Sequence, residues 1–367
     1  MPLFMDFHKI DNVTIEDVKS AHVADEAIQD KYGVKYHQFW VNQEAGSVFC
    51  LVEGPDAATC ELVHKMAHGN LPCALTQVES YLYETIMGKQ HKIDHGHVSN
   101  TDGTVDVGYR NILVVTVYGI TKATSSKDLS QLQRPFWARK IIAEKIVAFH
   151  GREVQWATDD SIIAVFNETN QLIKCALSIQ NNLVNAIIKE SEIIFRMGLS
   201  AAQPVTETGN FFTDAIKLAH KLSVTARDNQ ILVSSLVKKL CKEDGLLANT
   251  NLIKSLTSAE EEFLTTLLLA AEKKLIDQHF DLNKLSSEIC ISRPQLYRKI
   301  TAVTGRSPND FMRDLRLDKA VTLLKQKKAN IAEIAYEIGF TSPSYFTKCF
   351  TEKFGYTPSA FAKTSSN

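Results

Sequence analysis

The sequence lacks three features that are typical of exported or membrane proteins. Its seven cysteines are scattered and never spaced as CxxC, which indicates reduced thiols rather than a disulfide framework. No basic stretch followed by a long apolar run opens the chain, and no apolar run is long enough to span a bilayer. We therefore predict a soluble, cytoplasmic protein without a membrane partner.

Net charge is also nearly absent, but local charge is not. The 367 residues carry a formal charge of −1, and 44% of them are apolar, which suits two or three domains. From Lys284 to the end, 14 Lys and Arg stand against 7 Asp and Glu, so this segment carries +7 and the rest of the chain −8. A basic segment on an acidic body favours a polyanion-binding module carried by other domains. Chance segregation is the alternative.

Two polar segments divide the chain into three predicted domains. Residues 1–83 follow the order strand, helix, strand, strand, helix, strand, which is the βαββαβ order of a ferredoxin-like domain. Residues 84–110 are predicted to be a linker. Residues 111–242 read as an α/β domain, residues 243–257 as a second linker, and residues 258–367 as helical throughout. The predicted fold class is multidomain α+β.

The C-terminal segment contains the same arrangement twice: a helix, a short turn and a second helix. Ser292 and Ser342 stand at the expected N-caps of the second helices, with Pro294 and Pro343 in their first turns. Each second helix has an apolar back and a polar face whose groups can contact base edges or phosphates. The predicted DNA-reading residues are Arg293, Tyr297 and Arg298 in the first unit and Ser344, Thr347 and Lys348 in the second.

A helix from Pro308 to Lys325 is predicted to connect these two helix-turn-helix units. Eighteen helical residues span about 27 Å, which is close to the roughly 34 Å between successive major grooves on one face of the duplex. A single copy of the chain can therefore occupy two adjacent grooves.

The stretches "SRPQLYRKITAVTGRSPNDFMRDLRLDKAVTLL" and "IAEIAYEIGFTSPSYFTKCFTEKFGYTPSAF" resemble the AraC family of bacterial transcription regulators, and the resemblance covers residues 258–367. It implies an all-α double helix-turn-helix domain that binds specific DNA sequences. It places the base-contacting positions on Pro294, Tyr297, Arg298, Ser344 and Lys348. Pro294 has no donor, so the first unit is expected to read fewer bases than a relative with a longer polar side chain there. An all-helical interaction module is the alternative.

Histidine is concentrated at the other end of the chain, where eight of the eleven fall within the first 97 residues. His64 and His68 are spaced i, i+4 on one predicted helix face. His22 and Asp25 share a face of the first helix, and His8 ends the first strand. Imidazoles at helical spacing can bind one divalent ion, and imidazole-rich sites suit Zn, Cu or Ni. A solvated or packed histidine pair is the alternative.

The stretches "MDFHKI", "AHVADEAIQDKYGVKYHQFWV", "GSVFCLVEGPDA" and "VHKMAHG" resemble a small family of ferredoxin-like nickel-binding proteins. The resemblance implies Ni²⁺, or another divalent ion such as Zn²⁺, as the ligand. The implied metal ligands are His8, His22, Asp25, His64 and His68. His37 is not part of the pattern, and the linker histidines His91, His95 and His97 are expected to be solvated.

The middle domain resembles class III nucleotide cyclases in "ILVVTVYGIT", "GREVQWATDDSIIAVF" and "FRMGLSAAQPV". Those enzymes hold two metal ions with two aspartates, but the first position here is Thr116 and only Asp160 remains. Lys217 and Lys221 occupy the positions of the asparagine and arginine that stabilise the transition state. The loss of a metal-binding carboxylate removes much of that stabilisation, so we predict a cyclase-like domain that is not an enzyme and serves dimerisation or ligand sensing.

These observations together predict a metal- or ligand-responsive transcription regulator. Its expected partners are double-stranded DNA and a second copy of the chain, with contact to RNA polymerase left open. Two alternatives remain at this point. One is a regulator that responds to a nucleotide or small molecule, with the histidines incidental, and the other is an active cyclase fused to a DNA-binding domain.

Overall fold

The computed structural model describes residues 1–88, 92–100, 103–119, 136–155, 161–187, 193–205, 210–243, 245–248, 252–277, 281–326 and 329–364. Two six-stranded sheets and a helical C-terminal region make up this part of the chain, so the predicted multidomain α+β class is confirmed. Among the described helices, none is long and apolar enough to cross a membrane.

The first sheet begins as a ferredoxin-like domain. Its elements are β1 (Leu3–Lys9), α1 (Ile15–Ile28), β2 (Lys35–Asn42), β3 (Ser47–Glu53), α2 (Ala57–Ala67) and β4 (Ala74–Val78). The strands pair antiparallel in the order β4-β1-β3-β2, which confirms the predicted βαββαβ arrangement. Thr14 opens α1 with a capping box to Asp17, and the Asp56 carboxylate caps α2.

The segment 84–110 differs from the predicted linker. A helix, α3 (Ser80–Met87), runs into it, and β5 (Lys92–Asp94) and β6 (His97–Ser99) extend the first sheet beyond β2. Two of its polar side chains, Asp106 and Arg110, are buried and bond inside the protein. Arg110 lies 2.9 Å from Asp106 in a buried ion pair, and the Trp40 indole donates to the same carboxylate.

The middle domain is built on the second sheet. Its elements are β7 (Arg110–Gly119), α4 (Phe136–Ala148), β8 (Arg152–Val154), β9 (Ile162–Phe166), α5 (Thr169–Ile187), β10 (Ile193–Ala202), α6 (Thr213–Thr225), β11 (Ile231–Val233), α7 (Ser235–Leu240) and β12 (Ile253–Ser255). The strand order is β12-β11-β10-β7-β9-β8. β12 falls in the second predicted linker, 243–257, yet it pairs parallel with β11.

The two sheets share a buried apolar core. Met5 and Phe7 of β1 belong to the same cluster as Ile112 and Val114 of β7, together with Ile216 of α6. The other face of the second sheet packs on α4, α5 and α7. The other face of the first sheet carries α1 and α2, and the candidate metal centre lies beneath these two helices.

The C-terminal region contains the two predicted helix-turn-helix units. Its helices are α8 (Ser258–Lys274), α9 (Leu282–Glu288), α10 (Arg293–Thr304), α11 (Pro308–Gln326), α12 (Ile331–Glu337), α13 (Pro343–Phe354) and α14 (Pro358–Thr364). The first unit is α9–α10 and the second is α12–α13, with α11 connecting them. The apolar backs predicted for the second helices are buried. They are Leu296, Ile300 and Val303 in α10 and Phe346, Phe350 and Phe354 in α13.

The two units are attached to the molecule in different ways. The core of the first unit continues through α8 into the middle domain, where it includes Leu222 of α6 and Leu232 of β11. The second unit has a separate core formed by α11, α12 and α13. The connecting helix belongs to both, since Leu315 lies in the first core and Leu317 in the second.

Candidate metal centre and nucleic-acid interface

Six polar side chains meet between the first sheet and its helices, and we call them the histidine–aspartate cluster. They are Asp6 and His8 on β1, His22 and Asp25 on α1, His64 on α2 and His68 at the C-terminal end of α2. Five are at most 5% exposed, and the His68 side chain is 14% exposed. All except Asp6 line a cavity of about 170 Å³.

His64 is the centre of this cluster. Its Nε2 lies 2.8 Å from Asp6 Oδ2, and its Nδ1 lies 3.2 Å from Asp25 Oδ2 and 3.1 Å from His68 Nε2. His8 Nε2 lies 3.6 Å from Asp6 Oδ2. The donor atoms form two triads that share His64, namely Asp6–His8–His64 and Asp25–His64–His68, with all atoms of a triad within 4.8 Å of one another.

The electrostatics of the cluster favour a protonated His64. Burial alone would lower the pKa of His64, but hydrogen bonds to Asp25 and Asp6 raise it to about 10. Burial would likewise raise the pKa values of Asp6 and Asp25, yet the neighbouring histidines hold both below their usual range. Without an ion, His64 is an imidazolium between two carboxylates, so an ion that binds it must displace a proton.

Several buried atoms of the cluster have no hydrogen-bond partner among the described residues. They are both ring nitrogens of His22 and the Oδ1 atom of Asp25. His22 Nε2 lies 3.5 Å from Glu26 Oε1, without hydrogen-bond geometry. Because buried polar atoms are normally bonded, these atoms point to a ligand. Imidazole nitrogens and carboxylate oxygens are donors that Ni²⁺ and Zn²⁺ accept, so the donor set fits a divalent metal.

The structure brings four of the five predicted ligands into the triads. His8, Asp25, His64 and His68 are members, whereas His22 lines the same cavity but belongs to neither triad. Sequence reasoning missed Asp6. A signal was available, because Asp6 and His8 are two residues apart on one strand and therefore share a face.

Of the remaining N-terminal histidines, some lie as the sequence predicted and one does not. His37 lies 3.2 Å from Glu53 and is not a member of either triad. His95 is 76% exposed, as expected, and His91 lies outside the described residues. The expectation of a solvated His97 is wrong: this side chain is buried beside Phe39, and burial lowers its pKa.

The predicted DNA-reading residues lie on two open helix faces. Ser292 caps α10 in a capping box with Gln295, and the Ser342 hydroxyl accepts from the Tyr345 amide at the start of α13. All the predicted residues are exposed except Thr347, which is half-buried. The exposed ones are Arg293, Pro294, Tyr297, Arg298, Ser344 and Lys348. Tyr345, which the sequence analysis did not include, is also exposed on α13.

Comparisons with known proteins match two segments of the chain. Residues 285–364 match a family model described as a helix-turn-helix domain, and residues 4–78 match one described as "Nickel responsive protein SCO4226-like". The two ends of the chain match two different families. Both resemblances expected from the sequence are thereby confirmed for these segments.

The similar proteins share only part of their length with this chain. A protein named "Histidine kinase P4" from Formosa agariphila is 39% identical over 107 residues, which are 29% of this chain and 8% of that protein. The uncharacterized HTH-type transcriptional regulator YidL of Escherichia coli is 34% identical over 96 residues, or 26% of this chain and 32% of that protein. The chain thus spans about a third or less of the curated relatives that it matches.

A solved cyclase is among the structural neighbours. The adenylate/guanylate cyclase/hydrolase from Silicibacter pomeroyi is 25% identical, covers 36% of this chain and 78% of its own, and superposes with a TM-score of 0.30. In the middle domain itself, the Thr116 hydroxyl lies 3.1 Å from the hydroxyls of Ser161 and Ser223. Lys217 is exposed and Lys221 half-buried, and Asp160 lies outside the described residues.

Proposed function

We propose that this protein is a sequence-specific DNA-binding regulator of transcription. The observation that carries the proposal is the pair of helix-turn-helix units, each of which buries the apolar back of its second helix and exposes a polar face. Relatives that match about a quarter of the chain include proteins named as HTH-type transcriptional regulators or activators. The net charge of +7 on the segment suits a polyanionic partner.

The individual side chains would divide the work by their chemistry. Arg298 can form a paired contact with a guanine edge, while Ser344 and Lys348 can bond a base edge or a phosphate. Pro294 has no side-chain donor, so the first unit would contact fewer bases than a relative with a longer polar side chain at this position. The ammonium of Lys348 lies 3.9 Å from Glu352 at an exposed position, and this weak contact leaves it available to the duplex.

Selection from random duplexes, followed by affinity measurement at fixed salt, tests the proposal. Arg298→Ala should weaken binding to the selected duplex by about 1–3 kcal/mol and relax the preference at one base pair. Arg139→Ala is the matched control, because Arg139 is an exposed arginine of α4 paired with Glu153. Equal affinity of the unaltered protein for selected and random DNA would contradict sequence specificity.

We further propose that two copies of the chain assemble on repeated half-sites and that the middle domain supports this assembly without acting as an enzyme. Regulators with two-fold symmetry commonly address half-sites in this way. A hydroxyl group in place of the first metal-binding carboxylate argues against cyclase chemistry. Light scattering at micromolar concentration should give the mass of a dimer, and incubation with ATP or GTP and Mn²⁺ should give no cyclic product.

The histidine–aspartate cluster is proposed to be the sensor of this regulator, with Ni²⁺ or a similar divalent ion such as Zn²⁺ as its ligand. The residues that would hold it are His8, His22, Asp25, His64 and His68, which line the cavity. Asp6 would bond the ring nitrogen of His64 that faces away from the ion. A bound ion would supply bonds that join β1, α1 and α2 and would replace protons now shared around His64. To regulate DNA binding, it must prefer one arrangement of the protein over another.

Calorimetry with Ni²⁺ tests the sensor. His68→Ala should lower the affinity for the ion, and His37→Ala, which changes a histidine outside both triads, should not. His64 is a poor choice for this test, because its removal leaves Asp6 and Asp25 buried without their counter-charge. Saturating Ni²⁺ should then change operator affinity about 5- to 150-fold. Unaltered Ni²⁺ binding by His68→Ala, or unaltered operator affinity, would contradict metal sensing.

A further inference from the structure

A second group of charges lies where the middle domain meets the C-terminal helices, and we call it the interdomain network. Its members are buried or half-buried except Asp228, which is exposed. It contains three cations and three carboxylates drawn from distant parts of the sequence. They are Arg196 on β10, Asp228 after α6, Arg306 before α11, Asp314 and Asp318 on α11, and Lys353 on α13.

One chain of contacts leads from the middle domain to the second recognition helix. The Arg196 side chain is 2% exposed, and its Nη2 lies 2.8 Å from Asp228 Oδ1 while its Nη1 lies 3.5 Å from Asp318 Oδ2. The other oxygen of Asp318 lies 2.7 Å from Lys353 Nζ on α13. Lys353 also donates to the main-chain carbonyl of Asp314. Arg196 and α13 are therefore linked through a single carboxylate of α11.

A second set of contacts fixes the start of α11 to the same domain. Arg306 lies 3.2 Å from Asp314, and it also donates to the main-chain carbonyl of Ala226. Arg227 donates to the Thr304 carbonyl and lies against Gly305, where a Cβ atom would stand 1.6 Å from its guanidinium. The left-handed φ of 67° favours glycine at this position, and the missing Cβ leaves room for the Arg227 side chain.

The network contacts α11 at the boundary between the two helix-turn-helix units. Asp314 and Asp318 are one turn apart, at the point where the helix passes from the core of the first unit to that of the second. The first unit is joined to the middle domain by apolar packing. The core of the second unit contains no described residue of the middle domain. Its link to that domain runs through α11, which both units share, and through the charges of the network.

We propose that Arg196 is a positioning residue for DNA recognition: through Asp318 and Lys353 it sets where α13 stands relative to α10. This inference rests on the proposed function, because two recognition helices on one chain must match the spacing of two segments of one duplex. Under this proposal, the middle domain contributes to DNA recognition by fixing the position of a recognition helix. Arginine suits the position, since its planar fork presents separate N–H groups to Asp228 and to Asp318 in a fixed geometry.

The test measures spacing rather than affinity alone. A duplex selected by the full chain is compared with duplexes that carry one or two extra base pairs between the two contacted segments. The readout is the dissociation constant for a duplex with extra base pairs divided by the dissociation constant for the selected duplex. Arg196→Gln should lower this ratio roughly tenfold, in the range of typical coupling between sites, because a loosely held α13 tolerates the wrong spacing. A variant that only lost stability would lose active protein equally for both duplexes and would keep the ratio.

Arg139→Gln is the control, because it breaks an exposed ion pair of the same domain, and it should keep the ratio of the unaltered protein. If Arg196→Gln does not fold, Arg196→Lys retains the charge and should give an intermediate ratio. An unchanged ratio in the folded variant would overturn the role of Arg196 and leave the proposed function standing. Failure of the full chain to select any sequence would overturn the proposed function, and this inference with it.

Discussion

The histidine–aspartate cluster and the interdomain network both place carboxylates among cations, yet they differ in whether buried atoms remain without a hydrogen-bond partner. In the first, His22 and Asp25 retain buried atoms without partners among the described residues, and the side chains face a cavity of about 170 Å³. In the second, none of the six side chains has such an atom in the described chain. The cluster therefore retains buried atoms that a ligand could bond, whereas the described side chains of the network have no buried atom left without a partner.

The chemistry of the cations reinforces this difference. A histidine can release its proton and offer a lone pair to a metal, but a guanidinium or an ammonium has only donors to offer. The network can therefore hold elements together but cannot bind a cation in the same way. Burial of charge by itself does not identify a ligand site. Unpartnered buried atoms, a cavity and groups that can lose a proton together support the proposal of a ligand site.

The largest expected effect comes from removing a cation of the network. Lys353→Met keeps the length of the side chain but removes the nearest positive charge of Asp318 and leaves Asp314 with Arg306 alone. We expect a loss of about 3 kcal/mol in the free energy of unfolding. Urea unfolding followed by circular dichroism measures it. Lys238→Met, which changes an exposed lysine of α7, is the control. Equal stability of the two variants would show that the network does not hold the second unit.

The next largest effect is expected from adding Ni²⁺ to the histidine–aspartate cluster. If the cluster is a ligand site, Ni²⁺ at about 100 times its dissociation constant should stabilise the N-terminal domain by about 2.7 kcal/mol. Hydrogen exchange of the α1 and α2 amides should slow on addition of the ion and recover with a chelator. The same addition should leave these amides unchanged in a His68→Ala variant that no longer binds Ni²⁺. Exchange that ignores Ni²⁺ in the unaltered protein would make the cluster a structural one like the network.

Local patterns made part of this architecture predictable from the sequence. The N-cap serines, the apolar backs of α10 and α13 and the βαββαβ order all depend on residues within a few positions of each other. The predicted histidines also converge, because His64 and His68 share one turn of helix and His8 lies on a neighbouring strand. Asp6 shared the strand face of His8, so it was within reach of the same reasoning.

Contacts between distant segments were not predictable in this way. Arg196 and Asp318 are 122 positions apart, and no periodicity connects a strand of one domain to a helix of another. The same limit explains the two linkers. β6 and β12 are three residues long, and each is a strand only because an existing sheet offers it an edge. His97 is buried for this reason, although its own neighbourhood in the sequence is polar.

The smallest expected change in stability comes from Lys348, an exposed charge that is proposed to contact DNA and does not hold elements of the fold together. Lys348 is 70% exposed, and its contact with Glu352 spans 3.9 Å, so Lys348→Ala should change the free energy of unfolding by no more than about 0.5 kcal/mol. Its affinity for DNA should nevertheless fall, because one phosphate contact is lost. The slope of log affinity against log salt should then become shallower by about 0.9. Lys238→Ala removes the same charge from the middle domain and should leave that slope unchanged. A slope that is the same in both variants would mean that Lys348, although open to solvent on the second recognition helix, does not contact the duplex.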